Sequence, residues 1–154
     1  MKKLLYLFFI ASLLAISFQA NAQKRPKEKD LKYEANLSYE VGEIDRAIKE
    51  YKRLLKSYPQ NSLETFRLGD CYLKKNNLKK ALEYLKTAYK MNPKVDPQIN
   101  YLLAQVSHLN WEFKKAIKHY QNYWVILTSK EGDKKKDVDR KIRQCKSGMA
   151  LMKD

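Results

Sequence analysis

At 154 residues, with 32 Lys and Arg against 17 Asp and Glu, the chain carries a formal charge of +15 and has room for one ordinary domain with its own core. Two cysteines are too few for a disulfide framework, and the glycines that follow the N-terminal segment, Gly42, Gly69, Gly132 and Gly148, are too scattered for a phosphate-cradling loop.

The N-terminal stretch MKKLLYLFFIASLLAISFQANAQ pairs Lys2 and Lys3 with an apolar run from Leu4 to Phe18 and ends in Ala20-Asn21-Ala22. A charged start, a core too short for a comfortable membrane span and a small-residue cleavage site predict a signal peptide over residues 1–22. No cysteine follows the run, which argues against lipid attachment at a new N-terminus. Without Lys2 and Lys3, 30 basic side chains face 17 acidic ones, a formal charge of +13. Such an excess commonly signals nucleic acid, but export redirects it toward anionic lipid, cell-wall carboxylates or acidic partner proteins. Export also exposes Cys71 and Cys145 to an oxidising compartment, where they either pair or lie as two separate buried thiols.

Residues 23–29, QKRPKEK, read as a flexible leader. Beyond it the sequence repeats itself. A shift of 34 residues places Ala35 on Gly69, Ile44 on Leu78, Ala47 on Ala81 and Pro59 on Pro93, and a shift of 35 places Leu68 on Leu103, Gly69 on Ala104, Leu78 on Phe113 and Ala81 on Ala116. Three units follow, at about 30–61, 62–96 and 97–129. In each, small residues at Ala35, Gly69 and Ala104 and at Ala47, Ala81 and Ala116 let two helices approach, while Leu82, Leu85, Ile117 and Tyr120 fill the layers between units. After a loop at Ser129 to Asp133, residues 134–152 place Val138, Ile142, Cys145, Met149 and Met152 on one stripe, which predicts a helix capping the last unit.

The middle unit, with Leu68-Gly69-x-x-Tyr72, Ala81-x-x-x-Leu85, Ala88 and Pro93, resembles the tetratricopeptide repeat. The other two are degenerate copies, and the family's tryptophan position holds Leu31, Thr65 and Asn100. The resemblance implies an all-α fold: a right-handed superhelical array of three helix-turn-helix units plus the capping helix. It also implies a concave groove that takes a partner's segment. Carried over by position, the groove is faced by Lys32, Tyr33, Asn36 and Tyr39, then Phe66, Arg67, Asp70 and Leu73, then Tyr101, Gln105 and His108. Lys32 and Asn36 resemble part of the clamp with which some members grip a peptide's terminal carboxylate. Arg67, Gln98 and Leu102 depart from the rest of that clamp, so recognition of a chain terminus is not expected.

Little else in the sequence converges on chemistry. His108 and His119 are the only histidines and lack metal-ligand spacing, and no carboxylate pair stands out. No catalytic residue, metal, cofactor or small-molecule substrate is expected. Lys74-Lys75 and Lys79-Lys80 flank the turn Asn76-Asn77 and read as solvated helix ends.

A closer resemblance covers nearly the whole chain. YEVGEIDRAIKEYKRLLKSYPQN, the middle unit continuing through Pro93 to Pro97, and VDRKIRQCKSGM are similar to the N-terminal repeat module of Bacteroidetes envelope proteins. Full-length members add a β-propeller and an OmpA-like domain that holds peptidoglycan, and some serve type IX secretion and gliding. The likeness ends where the propeller would begin, so peptidoglycan binding is not carried over. The expectation is a non-catalytic periplasmic adaptor, associated with the outer membrane, that docks another envelope protein or peptide segment and no nucleic acid. The alternative is a basic spacer held on anionic lipid or cell wall.

Overall fold

The computed structural model describes residues 26–152, so the expected signal peptide and the first residues of the leader lie outside the described residues. Seven α-helices follow in order: α1 (Glu28–Glu40), α2 (Ile44–Ser57), α3 (Ser62–Lys74), α4 (Leu78–Met91), α5 (Ile99–Leu109), α6 (Phe113–Ile126) and, after a 3-10 turn at Ser129–Glu131, α7 (Gly132–Leu151). The fold is all-α, and among the described residues no helix is long and apolar enough to cross a membrane.

Helices pair within units, α1 on α2, α3 on α4 and α5 on α6, and successive units join through α2–α3 and α4–α5. Ala35, Ala47, Ala81, Ala104 and Ala116 are fully buried where the paired helices meet. Gly69 shows how tight that approach is: a Cβ there would stand 2.8 Å from Leu85 Cγ and 3.1 Å from the Leu85 backbone nitrogen. Glycine lowers helix stability by roughly 0.5–1 kcal/mol relative to alanine, and here the closer helix packing offsets it.

Each unit turns through the same backbone motif. Gly42, Asn76 and Trp111 are left-handed, with φ of 80°, 55° and 60°. The following N–H reaches five residues back, from Glu43 to the Ser38 carbonyl at 2.9 Å, Asn77 to Tyr72 at 2.9 Å and Glu112 to Ser107 at 2.8 Å. This arrangement satisfies the last carbonyls of the first helix in each pair.

One core cluster runs from Leu31 to Val106, and a second, from Ala104 to Cys145, joins the third unit to α7. Cys71 lies in the first and Cys145 in the second, both buried and unpaired. Burial pushes the Cys71 thiol up to about 12 and raises that of Cys145.

Two boundaries differ from the sequence expectation. α1 begins at Glu28, inside the expected leader, because Glu28 and Asp30 suit the positive helix start, Lys32 pairs with Glu28 at 2.8 Å and the Tyr58 hydroxyl donates to the Pro26 carbonyl at 3.1 Å. α7 begins at Gly132 rather than 134, since Thr128 and Glu131 form a capping box that draws the expected loop into a 3-10 turn. Its stripe buries Val138 and Cys145 and half-buries Ile142 and Met149, whereas Met152 stays 63 % exposed. Gly148 brings α7 onto α6, where a Cβ would lie 2.5 Å from the Phe113 ring.

Candidate functional site

The first helices α1, α3 and α5 carry the side chains expected to face a groove, and the structure binds most of them to the neighbouring helix. Between α1 and α3 they form a polar ladder. Lys32 Nζ lies 3.8 Å from Glu64, the Arg67 guanidinium and the Tyr51 hydroxyl both donate to Asn36 Oδ1, and the Tyr39 hydroxyl donates to Asp70 Oδ2 at 2.6 Å. Lys74 closes the top of the ladder, 2.8 Å from Asp70 and 4.4 Å from the centre of the Tyr39 ring.

Glu64 and Asp70 are only 5 % and 8 % exposed, so these partners offset the cost of burying carboxylates. Burial and the Asp70 bond push the Tyr39 hydroxyl well above its ordinary pKa, which keeps it a donor. The bond to Glu28, outweighing a smaller opposing effect of burial, raises Lys32, which stays cationic.

The joint between α3 and α5 is apolar. Phe66, expected to face the groove, is 5 % exposed and shares the core cluster with Ile99, Leu102 and Val106 of α5, with Leu73 packed alongside. Its position faces both groove and next helix, and the large apolar residues of α5 draw it into the joint.

Between α5 and α7 the chemistry is mixed. The Tyr101 hydroxyl donates to Asp137 Oδ2 at 2.9 Å, and its ring packs 5.8 Å from Tyr120 and 5.1 Å from Tyr123. Burial and the Asp137 bond raise Tyr101 to about 12. Tyr101 therefore ties down the cap instead of standing free in the groove. His108 meets Phe113 and Tyr120 edge-on, and burial together with Lys141 lowers its pKa. Gln105 is half-buried and Tyr33 is 69 % exposed. Among the described residues no three His, Cys, Asp or Glu side chains converge as metal ligands would.

The tetratricopeptide repeat family model matches residues 34–96 and 72–125, more than half of the chain. The chain belongs to the tetratricopeptide repeat family. No curated protein sequence matches it. Among solved structures it is similar to a T3SS complex chain from Aeromonas hydrophila, with a TM-score of 0.69 and 13% identity over 88% of this chain and 99% of that one. It is also similar to the TPR2B domain of yeast Sti1 in its pHsp70 complex, at 0.65 and 12% over 78% and 96%. A third is the first TPR of Spaghetti (RPAP3) bound to the HSP90 peptide SRMEEVD, at 0.65 and 16% over 82% and 98%.

Within this tetratricopeptide array the clamp-like pair is already engaged, Lys32 by Glu28 and Glu64, Asn36 by Tyr51 and Arg67. Five partners were not expected from the sequence: Glu64, Lys74, which reads there as a solvated helix end, Glu28, Tyr51 and Asp137. The repeat shift carries a signal for the first two, since Glu64 and Lys74 flank the aligned groove positions on the same helix. Asp137 carried none, because α7 lies outside the repeat.

Proposed function

We propose that this tetratricopeptide repeat protein is an exported, non-catalytic adaptor of the cell envelope, periplasmic and associated with the outer membrane, that holds a segment of another envelope protein along its first helices. The observation that carries the reading is the ladder of Lys32, Asn36, Tyr39, Arg67 and Asp70, in which Arg67 holds Asn36, Tyr39 holds Asp70 and Lys32 is held by Glu28 and Glu64. A segment laid against such a wall meets groups already oriented, and binding then costs less ordering entropy. Lys32 and Arg67 supply positive charge, while Lys74 and Tyr39 offset Asp70. The peptide and partner complexes of the structural neighbours support protein binding. The signal-like start and the resemblance to Bacteroidetes envelope modules support the periplasm and a role in secretion or gliding machinery.

The test is crosslinked capture from the native envelope, comparing wild type with the double substitution Lys32→Ala, Gln105→Ala. Loss of one discrete partner, with the protein still folded, is expected. Equal capture by both would exclude the groove, N-terminal sequencing that begins at Met1 instead of Gln23 would exclude a cleaved signal peptide, and recovery in the cytosolic fraction would exclude export. The chain's charge favours a second reading, a basic spacer on anionic lipid or wall, whose retention would collapse in salt and ignore both substitutions.

A further inference from the structure

The turn between α5 and α6 breaks a rule that the other two turns obey. Gly42 and Asn76, residues that tolerate a left-handed backbone, occupy the position that Trp111 fills in the third unit, where φ is 60°. A bulky side chain in that region is strained. Trp111 is also 69 % exposed, so core packing does not account for it.

Its indole forms a wall shared by two clefts. One, of about 430 Å³, is bounded by Trp111, Phe113, Lys114, Met149 and Met152, and the other, of about 230 Å³, by His108, Leu109, Trp111 and Phe113. Leu109 and Met152, at the two clefts, are 53 % and 63 % exposed, so each presents apolar surface, with Glu112, Lys114 and Lys115 also lining the larger one. A third, separate cleft of about 400 Å³ lies between the neighbouring Asn110 and α4, lined by Lys79, Leu82, Glu83 and Lys86.

Charge narrows what fits. Lys79, Lys86 and Lys114 have no acidic partner among the described residues, and neither α4 nor α6 carries an acid in its first turn. Two acids lie beside these lysines. Glu83 stands between Lys79 and Lys86, and Glu112 is bound through Oε1 to Lys115 at 2.5 Å. The other Glu112 oxygen is buried, out of reach of an incoming chain.

We propose that this turn edge is a second docking surface, taking an acidic segment of a partner protein whose aromatic or aliphatic side chain seats against Trp111 between Phe113 and Met149, with its acids over Lys79, Lys86 and Lys114. The proposal rests on the adaptor reading and adds a face to it, on the turn side of the units and apart from the ladder.

The Trp124→Phe variant leaves Trp111 as the sole indole and lets its emission report binding. The probe is a short acidic peptide with one central phenylalanine, compared with the same peptide carrying serine there and with phosphatidylglycerol vesicles. Saturable binding with a blue shift is expected for the phenylalanine peptide, and the polarisation of a dye carried on the peptide, which needs no indole, should show binding weakened about tenfold or more by Trp111→Asn and unaffected by Lys32→Ala with Gln105→Ala. Because asparagine suits the left-handed turn, Trp111→Asn should unfold at the same or a higher temperature, so lost binding would not reflect lost folding.

Equal binding of the serine peptide would reduce the surface to charge and overturn the proposal. Trp111-dependent binding of vesicles but not of peptide would overturn it in favour of a membrane. A lower unfolding temperature with unchanged peptide binding would make Trp111 a packing residue. In envelope capture, a partner retained by Trp111→Asn but lost by the groove double substitution would sink this surface and leave the adaptor reading standing. A wild type that captures no protein would sink the adaptor reading itself.

Discussion

The joint between α1 and α3 and the joint between α3 and α5 relate equivalent helices of successive units, yet one is a polar ladder and the other an apolar core. In the first, Lys32, Asn36 and Tyr39 meet Glu64, Arg67 and Asp70. In the second, Phe66 joins Ile99, Leu102 and Val106 in the core. Position in a repeat therefore sets where a side chain points, while the residue opposite decides whether it becomes wall, glue or surface.

The comparison is broken most severely at the apolar joint. Phe66→Ala should lower unfolding free energy by about 3–5 kcal/mol, measured by urea denaturation, because it empties a buried aromatic site. A loss below about 1 kcal/mol would mean that the joint is loose. Gly69→Ala should follow, at about 1–3 kcal/mol, since the new methyl meets Leu85 including its backbone. Within the ladder, Asp70→Ala should cost about 1–3 kcal/mol by the same measurement, as the Tyr39 hydroxyl loses its acceptor. A double-mutant cycle with Tyr39→Phe sharpens the contrast: coupling of about 0.5–1.5 kcal/mol is expected for Tyr39 with Asp70, and a value near zero would show two independent contacts.

The smallest expected effect is that of pH. His119, whose Nδ1 lies 3.0 Å from Asn100 Oδ1, is lowered by burial and then by Lys118 and Lys86, and His108 by burial and then Lys141. Their folded pKa values fall below the unfolded imidazole value of about 6.5. The stability of the neutral forms is thus present above about pH 6.5 and is lost as pH falls through the depressed folded values. Melting temperature should drop between roughly pH 7.5 and pH 5, and His119→Gln should flatten part of that slope.

Much of the architecture was legible in spacing. The shifts that align Ala35, Gly69 and Ala104 mark the close helix contacts, and those residues lie buried in the structure. The same shifts align Gly42, Asn76 and Trp111, so the strained turn could have been found by asking which residue suited a left-handed backbone. The fate of Phe66 and Tyr101 was not legible. Each side chain has a choice between groove and neighbour, and that choice depends on residues such as Leu102 and Asp137 that lie across the joint.

The two thiols provide a clock for this architecture. Arrays held by contacts between neighbouring units can come apart from either end. Cys71 sits on α3 in the middle unit and Cys145 in the cap, each protected by burial and by a pKa that leaves little thiolate at neutral pH. An alkylating reagent reaches either one only when its own part of the array opens. The order in which they are modified under native conditions reads the direction of unzipping, with no engineered label required.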